Sequence, residues 1–310
     1  MLDLPVFKKL AHNDTGAAAG HQGGMVIPAG IEDYFPDVKG TITPQAPTAD
    51  VEIRAVLVVS GRAVGTVHTR YQYQTWGGTR FERRLTANLG PLRNKADADD
   101  IVLFQRDLDD FSRMVITLVK KSDPEYAKIE ELTKGKRWGV LGVNELPVSN
   151  QEIGEADKTI HSLEASPFSL FDDKRKVVES LSFRKARNSA FRVRLISLYE
   201  SKCAVSGTVI EGVDKAVNLD AAHIVPVEAG GSDDPRNGLL LSKDIHWAFD
   251  RGLIYFDQAS EIFVSEAVRN IPSNKYLASL HGAKLRPPIE NELGPHPDAL
   301  KWHWLNRAIV

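Results

Sequence analysis

Apolar positions along the chain follow two different periods. In the first half they alternate. Val51 to Ser60 (VEIRAVLVVS) alternates and then closes as a buried run, Val64 to Tyr73 (VGTVHTRYQY) alternates throughout, and Val102 to Phe104 and Met114 to Lys120 add shorter strands. Gly and Pro separate these runs, which predicts a small all-β barrel. Glu145 to Ser169 is polar and interrupted by Pro147 and Pro167, the character of a linker or loosely folded connector. From about Asp172 the pattern turns helical, with Phe191, Leu195, Leu198 and Tyr199 at helical spacing. Leu219 to Ile224 then has the character of a short strand, Glu228 to Asn237 (EAGGSDDPRN) that of a loop, and Leu239 to Leu241 that of a second strand. Ser242 or Asp244 is placed to cap a helix carrying His246. Ile262 to Ser265 is expected to extend this small sheet, and Pro297 to Ile309 to form a terminal helix carrying Trp302, His303 and Trp304. The expected architecture is α+β: a β domain over 1–143, a linker over 144–171 and a mixed domain over 172–310.

With 310 residues the chain exceeds what one core ordinarily serves, so two domains are the default. Its 39 basic and 41 acidic residues give a formal net charge of −2, so a surface for a polyanion has to be local. Cys203 is the single cysteine, which excludes internal disulfides and a cysteine-rich zinc cage. A buried structural role is expected for it. The sequence shows neither a signal-peptide pattern nor an apolar run long enough to span a bilayer, so a cytoplasmic location and no membrane partner are expected.

AHIVP, RNGLLL and HWAFDRG, in that order and within one span, carry the chemistry. A His beside an apolar strand is ordinarily a hydrogen-bonded core residue, and an Asn in a Gly/Asp loop is ordinarily turn chemistry. The joint occurrence of three segments decides otherwise. They resemble the HNH endonuclease family, whose fold is a ββα-metal module, here with flanking helices. The resemblance implies that His223 is the general base, Asn237 the orienting residue and His246 a ligand of one divalent metal. Helical spacing puts Asp250 on the same face as His246, where it can share the ion. The chain departs from the family at Ala222, where many members carry an acid or His, and Asp220 is the candidate substitute because it lies on the same strand face as Ala222. Hard ligands without a thiolate indicate magnesium or manganese.

Two further stretches lie in the first half. LAHNDTGAAAGHQGGMVIPAG, from Leu10 to Gly30, combines close-approach residues with the donors and acceptors of Asn13, Asp14, Thr15, His21 and Gln22. QTWGGTRFERRLT, from Gln74 to Thr86, crowds Arg80, Glu82, Arg83 and Arg84 around a Trp-Gly-Gly turn. Taken alone, the first reads as a flexible loop and the second as an exposed charged hairpin. Together they resemble the N-terminal DNA-recognition domain of the EcoRII restriction endonuclease, a pseudobarrel with two arms that enter the major groove. The resemblance implies arms at Asn13 to Met25 and Gln74 to Arg84, with His21 at a base-contacting position and Arg80, Glu82, Arg83 and Arg84 as a basic-acidic-basic cluster. Arg184, Lys185, Arg187, Arg192 and Arg194 form a basic stripe that serves equally as a phosphate contact or as a solvated helix face.

The resulting expectation is a type II restriction endonuclease that hydrolyses double-stranded DNA, working as a homodimer because one such site cuts one strand. The alternatives are a modification-dependent endonuclease reading methylated or phosphorothioated DNA, a non-cleaving DNA-binding protein, and a secreted nuclease toxin.

Overall fold

The computed structural model describes residues 2–16, 24–38, 40, 42–79, 81–142, 145–172, 180–212 and 216–309. The chain forms two compact units, Met1–Ile153 with Leu181–Ala186, and Gly154–Ser180 with Arg187–Val310.

The first unit is built on one curled eight-stranded sheet. Its strands are β1 (Val6–Lys9), β2 (Met25–Val26), β3 (Thr48–Val59), β4 (Arg62–Gln74), β5 (Glu82–Leu85), β6 (Ile101–Asp107), β7 (Asp110–Val119) and β8 (Trp138–Val140), in the order β2-β5-β4-β3-β7-β6-β1-β8. All pairings are antiparallel except β3 with β7. Alternation in the sequence becomes alternation in burial. Ile53, Ala55, Leu57 and Val59 of β3 and Met114, Ile116 and Leu118 of β7 point into one core. Phe35 stacks on Tyr71 at 5.0 Å between ring centroids and meets Phe104 edge-on at 5.4 Å. Each buried Val, Leu, Ile, Met or Phe side chain among these stabilises the fold by roughly 1.5–3 kcal/mol relative to exposure. Ser60 and Gly61, both at positive φ, make the tight turn that joins the two longest strands. Short helices α1 (Gly90–Arg93) and α2 (Tyr126–Leu132) fill connections of this unit.

The polar stretch expected to be a linker instead contains a helix, α3 (Asn150–Glu164). Ser149 and Glu152 form a reciprocal cap: the Ser149 backbone N–H donates to the Glu152 carboxylate at 2.8 Å and the Glu152 N–H donates to the Ser149 hydroxyl at 3.1 Å. Ala156 and Ile160, four residues apart, are its buried positions, a stripe too narrow to dominate a run that is otherwise polar.

The second unit takes α4 (Leu181–Leu198) from Arg187 on, where Phe191, Leu195 and Leu198 are buried together with Tyr199 just beyond its end. A hairpin of β9 (Leu219–His223) and β10 (Gly238–Ser242) leads directly into α5 (Lys243–Asp250). The last part holds β11 (Tyr255–Phe256), β12 (Ile262–Phe263), α6 (Glu266–Arg269), α7 (Lys275–Leu280) and α8 (Pro297–Arg307). Among the described residues β11 and β12 form a two-stranded sheet separate from that of β9 and β10, so Ile262 to Ser265 does not extend the β9-β10 sheet. Trp304 packs on Tyr255 and Phe263 at 5.7 and 6.0 Å, while His303 is buried and stacked on Phe249 at 3.8 Å. Gly252, at φ +66°, ends α5 where a Cβ would lie 1.8 Å from the Arg307 carbonyl oxygen, so only glycine admits the end of α8.

Candidate nuclease site and arms

The site lies on a ββα unit. β9 and β10 run antiparallel with His223 opposite Gly238, Ala222 opposite Leu239 and Asp220 opposite Leu241. All five residues of β10 are buried, as an almost wholly apolar strand requires, and Ala222 is buried as well. Asp220 and His223 stay partly accessible.

Asn237 ties the hairpin together. It is fully buried: its Oδ1 accepts from the Val225 N–H at 2.9 Å, and its Nδ2 donates to the Val225 and Ser232 carbonyls at 3.1 and 2.8 Å. One side chain thus fixes both the chain leaving His223 and the loop returning to β10. His223 makes two contacts of its own. Its Nε2 lies 2.9 Å from the Oδ1 of the buried Asp233, and its ring stacks on Phe191 at 3.9 Å and 10°. Asp233 in turn pairs through Oδ2 with Arg187 at 2.9 Å. Gly238 leaves room for this stacking, because a Cβ there would lie 2.6 Å from the Phe191 ring.

About 10 Å back along β9, at roughly 3.3 Å per residue, Asp220 meets α5. Its Oδ2 lies 3.2 Å from Nδ1 of His246, and Asp250 lies 3.5 Å from the other ring nitrogen, Nε2. The bond with His246 holds the Asp220 carboxyl below the usual carboxylate range. The same bond, reinforced by the charge of Asp250, raises His246. Arg192 approaches Asp220 at 3.9 Å. The donor chemistry fits a divalent cation: two ligands about 2.1 Å from one ion and at right angles lie about 3 Å apart, close to the 3.2 Å between Asp220 and His246. Asp250 does not share that edge, because it faces the opposite nitrogen of the ring. Among the described residues no group of three or more His, Cys, Asp or Glu side chains is arranged to hold an ion.

Cys203 is buried, and its sulfur accepts from the Ser206 N–H at 3.4 Å. Most of the basic stripe on α4 is engaged internally: Lys185 with Glu145, Arg187 with Asp233, Arg192 with Asp220, and Arg194 with Glu164 and Glu290. Of the five only Arg184 is exposed, so the stripe is mainly a set of structural ion pairs.

The arm residues divide between surface and interior. Asn13 is exposed. Asp14 is buried, where its carboxylate accepts from the Ala11 and Val26 N–H groups and from Lys8 at 2.7 Å. It ties Lys8, Ala11 and Val26 together from within the core. Thr15 is buried too; its hydroxyl donates to the His12 carbonyl and its own carbonyl accepts from Arg93. His21, Gln22 and Arg80 lie outside the described residues. Arg83 is also internal, paired with Glu32 and stacked against the rings of Tyr73 and Phe81 at 5.1 and 4.8 Å. Arg84 and Glu82 bind each other at 2.7 Å. Trp76 and Phe81 are each about half-exposed, apolar surface that a charge-based view of this stretch overlooks. β5 pairs with β4 at Glu82 to Leu85 and with β2 at Arg84 and Leu85, so Gln74 lies opposite its first residue and Met25 opposite its last.

Two family descriptions match the sequence. Residues 203–257 match the HNH endonuclease family, and residues 3–117 match the family described as restriction endonuclease EcoRII, N-terminal. The two matched segments lie one in each half of the chain. The ββα unit built from β9, β10 and α5 lies within the segment that matches the HNH endonuclease family. Among solved structures, a modification-dependent TagI restriction endonuclease is similar at 15% identity with a TM-score of 0.32, covering 76% of this chain and 60% of its own. The N-terminal domain of Helicobacter pylori LlaJI.R1 is similar at 12% identity with a TM-score of 0.29, covering 45% of this chain and 98% of its own. The chain therefore spans less than two thirds of the TagI chain. No curated protein sequence matches it.

Proposed function

We propose that this protein is a restriction endonuclease of type II: the β-sheet unit selects a site in unmodified double-stranded DNA and the ββα unit hydrolyses it. The observation that carries the cleavage half is the assembly of His223, Asn237 and His246 on one buried hairpin and its helix. In this reading His223 takes the proton of the attacking water. Asp220 and His246 would hold a divalent ion, magnesium or manganese, which when bound supplies positive charge to the pentavalent phosphate and the leaving oxygen. Asp250, at the far nitrogen of His246, orients the imidazole from outside. Asn237 keeps the His223 strand in register with its loop.

Recognition is assigned to the two arms flanking β5. Asn13 and the arm residues His21, Gln22 and Arg80 are the candidates for base and phosphate contacts, with Glu82 and Arg84 as a fixed pair beside them. Asp14, Thr15 and Arg83 are assigned to holding the arms in place. Cleavage of both strands at a symmetric site requires two copies, most simply a homodimer.

Digestion of matched unmodified, cytosine-methylated and phosphorothioated DNA with magnesium, followed by end sequencing, tests the reading. Discrete fragments from unmodified DNA are expected. Fragments only from a modified substrate would replace the type II assignment with a modification-dependent one. His223→Ala is expected to abolish cleavage while retaining DNA binding in a mobility-shift assay, and retained cutting would remove His223 from the mechanism.

A further inference from the structure

Asp233 has no counterpart among the three motif residues, yet it makes the only side-chain hydrogen bond described for His223. Its carboxylate is buried, with one oxygen 2.9 Å from His223 Nε2 and the other 2.9 Å from Arg187. The consequence follows from hydrogen-bond chemistry. A carboxylate only accepts, so the ring nitrogen beside it carries the proton, and the lone pair of a neutral imidazole is then on the other nitrogen, Nδ1. We infer that Asp233 is a positioning residue for cleavage: it sets the His223 tautomer that leaves Nδ1 as the basic atom, with Arg187 fixing the carboxylate and Phe191 fixing the plane of the ring.

Four features of the fold converge on this arrangement. Asn237 binds Ser232, the residue preceding Asp233, and Val225, two residues beyond His223, so the same amide sets the separation of the pair. Gly231 turns the loop where a Cβ would lie 1.9 Å from the Val225 carbonyl oxygen. Gly238 admits Phe191 beneath the imidazole. Arg187 and Phe191 are one helical turn apart on α4, so a single helix supplies both the counter-ion and the stacking surface.

The inference rests on His223 acting as the base. As the water oxygen bonds to phosphorus, its proton passes to Nδ1, the bond from phosphorus to the leaving deoxyribose oxygen breaks, and that oxygen departs with the electron pair. His223 is then an imidazolium with Nε2–H still directed at Asp233, whose negative charge stabilises it before the proton is released to solvent. In this arrangement Asp233 contributes more as charge develops than it does in the resting site.

The test combines cleavage kinetics with the tautomer itself. In the full-length protein labelled with ¹⁵N-histidine, the His223 signals, assigned by their loss in His223→Gln, are expected at pH 8 to show a protonated Nε2 and an unprotonated Nδ1. Asp233→Asn places a donor as well as an acceptor beside the ring and is expected to shift His223 toward the opposite tautomer. Single-turnover cleavage should fall on the order of 10²- to 10⁴-fold, with DNA affinity unchanged, and Asp233→Glu should recover roughly tenfold or more of the loss. A protonated Nδ1 in the unaltered protein overturns the inference, a result that holds even where the Asn variant folds poorly. So does an Asp233→Asn enzyme that cuts at the unaltered rate while His223→Ala is inactive. Full activity in His223→Ala is the separate result that removes the base assignment itself.

Discussion

At the scale of single residues, the proposed site separates into groups that hold geometry and groups assigned to the substrate or the metal. Asn237 makes three hydrogen bonds while fully buried. Its replacement by alanine leaves two carbonyls and one N–H without their partner, and about 1 kcal/mol per bond predicts a loss of about 2–4 kcal/mol in urea unfolding together with loss of cleavage. Asp220 makes a different prediction. It is partly exposed and paired with His246, so Asp220→Asn should cost little stability but weaken magnesium activation by about 10- to 100-fold, read from the metal dependence of the cleavage rate. His303 carries the clearest pH signature. Burial pushes its imidazole down to about 4, and its Nδ1 is buried with no hydrogen-bond partner among the described residues. Above pH 6.5 the folded and unfolded states both hold it neutral and it has no effect. As pH falls from about 6.5 toward 4 the unfolded state takes up a proton that the folded state refuses, so the stability of the C-terminal unit falls by about 3 kcal/mol. Unfolding midpoints measured between pH 7 and 4 should decline less steeply in His303→Gln.

At the scale of elements, glycines and caps decide which pieces can meet. Gly238→Ala drives a methyl group into the Phe191 ring and into Leu195. The expected result is overpacking of about 1–3 kcal/mol and a displaced imidazole, seen as slower cleavage with binding retained. α3 illustrates the limits of pattern reading. Its Ser149-x-x-Glu152 cap is legible in the sequence, whereas its two buried positions are too few to mark a helix against Pro147 and the surrounding polar residues. Glu152→Ala should cost about 1 kcal/mol of unfolding free energy. The second arm misleads in the opposite direction. Four charged residues suggest a basic surface, but Arg83 is buried against Glu32 and beside two stacked aromatic rings, and Arg84 is neutralised by Glu82.

At the scale of the molecule, a formal charge of −2 over 310 residues leaves little long-range attraction for a polyanion. The basic groups of α4 reinforce the point, since four of the five named there face carboxylates. DNA affinity is accordingly assigned to the arms and is expected to depend on their residues more than on overall charge. Among the described residues no helix is long and apolar enough to cross a membrane.

The sequence by itself determined the two classes of module and the order of their parts. Period-two alternation in β3, β4 and β7 states which face is buried, and AHIVP, RNGLLL and HWAFDRG state which strand, loop and helix carry His223, Asn237 and His246. These are local properties, encoded within a few residues of one another. Only the tertiary structure decided which charges are free and which are spent. Asp14 with Lys8, Arg83 with Glu32, and Asp233 with Arg187 and His223 join residues that composition leaves equivalent to any others of their type. Whether a carboxylate or guanidinium meets solvent or a partner depends on strand register and helix docking, and one sequence read in isolation does not specify either distance. The same holds for His246, whose two nitrogens face different acids although helical spacing alone places Asp250 on its face.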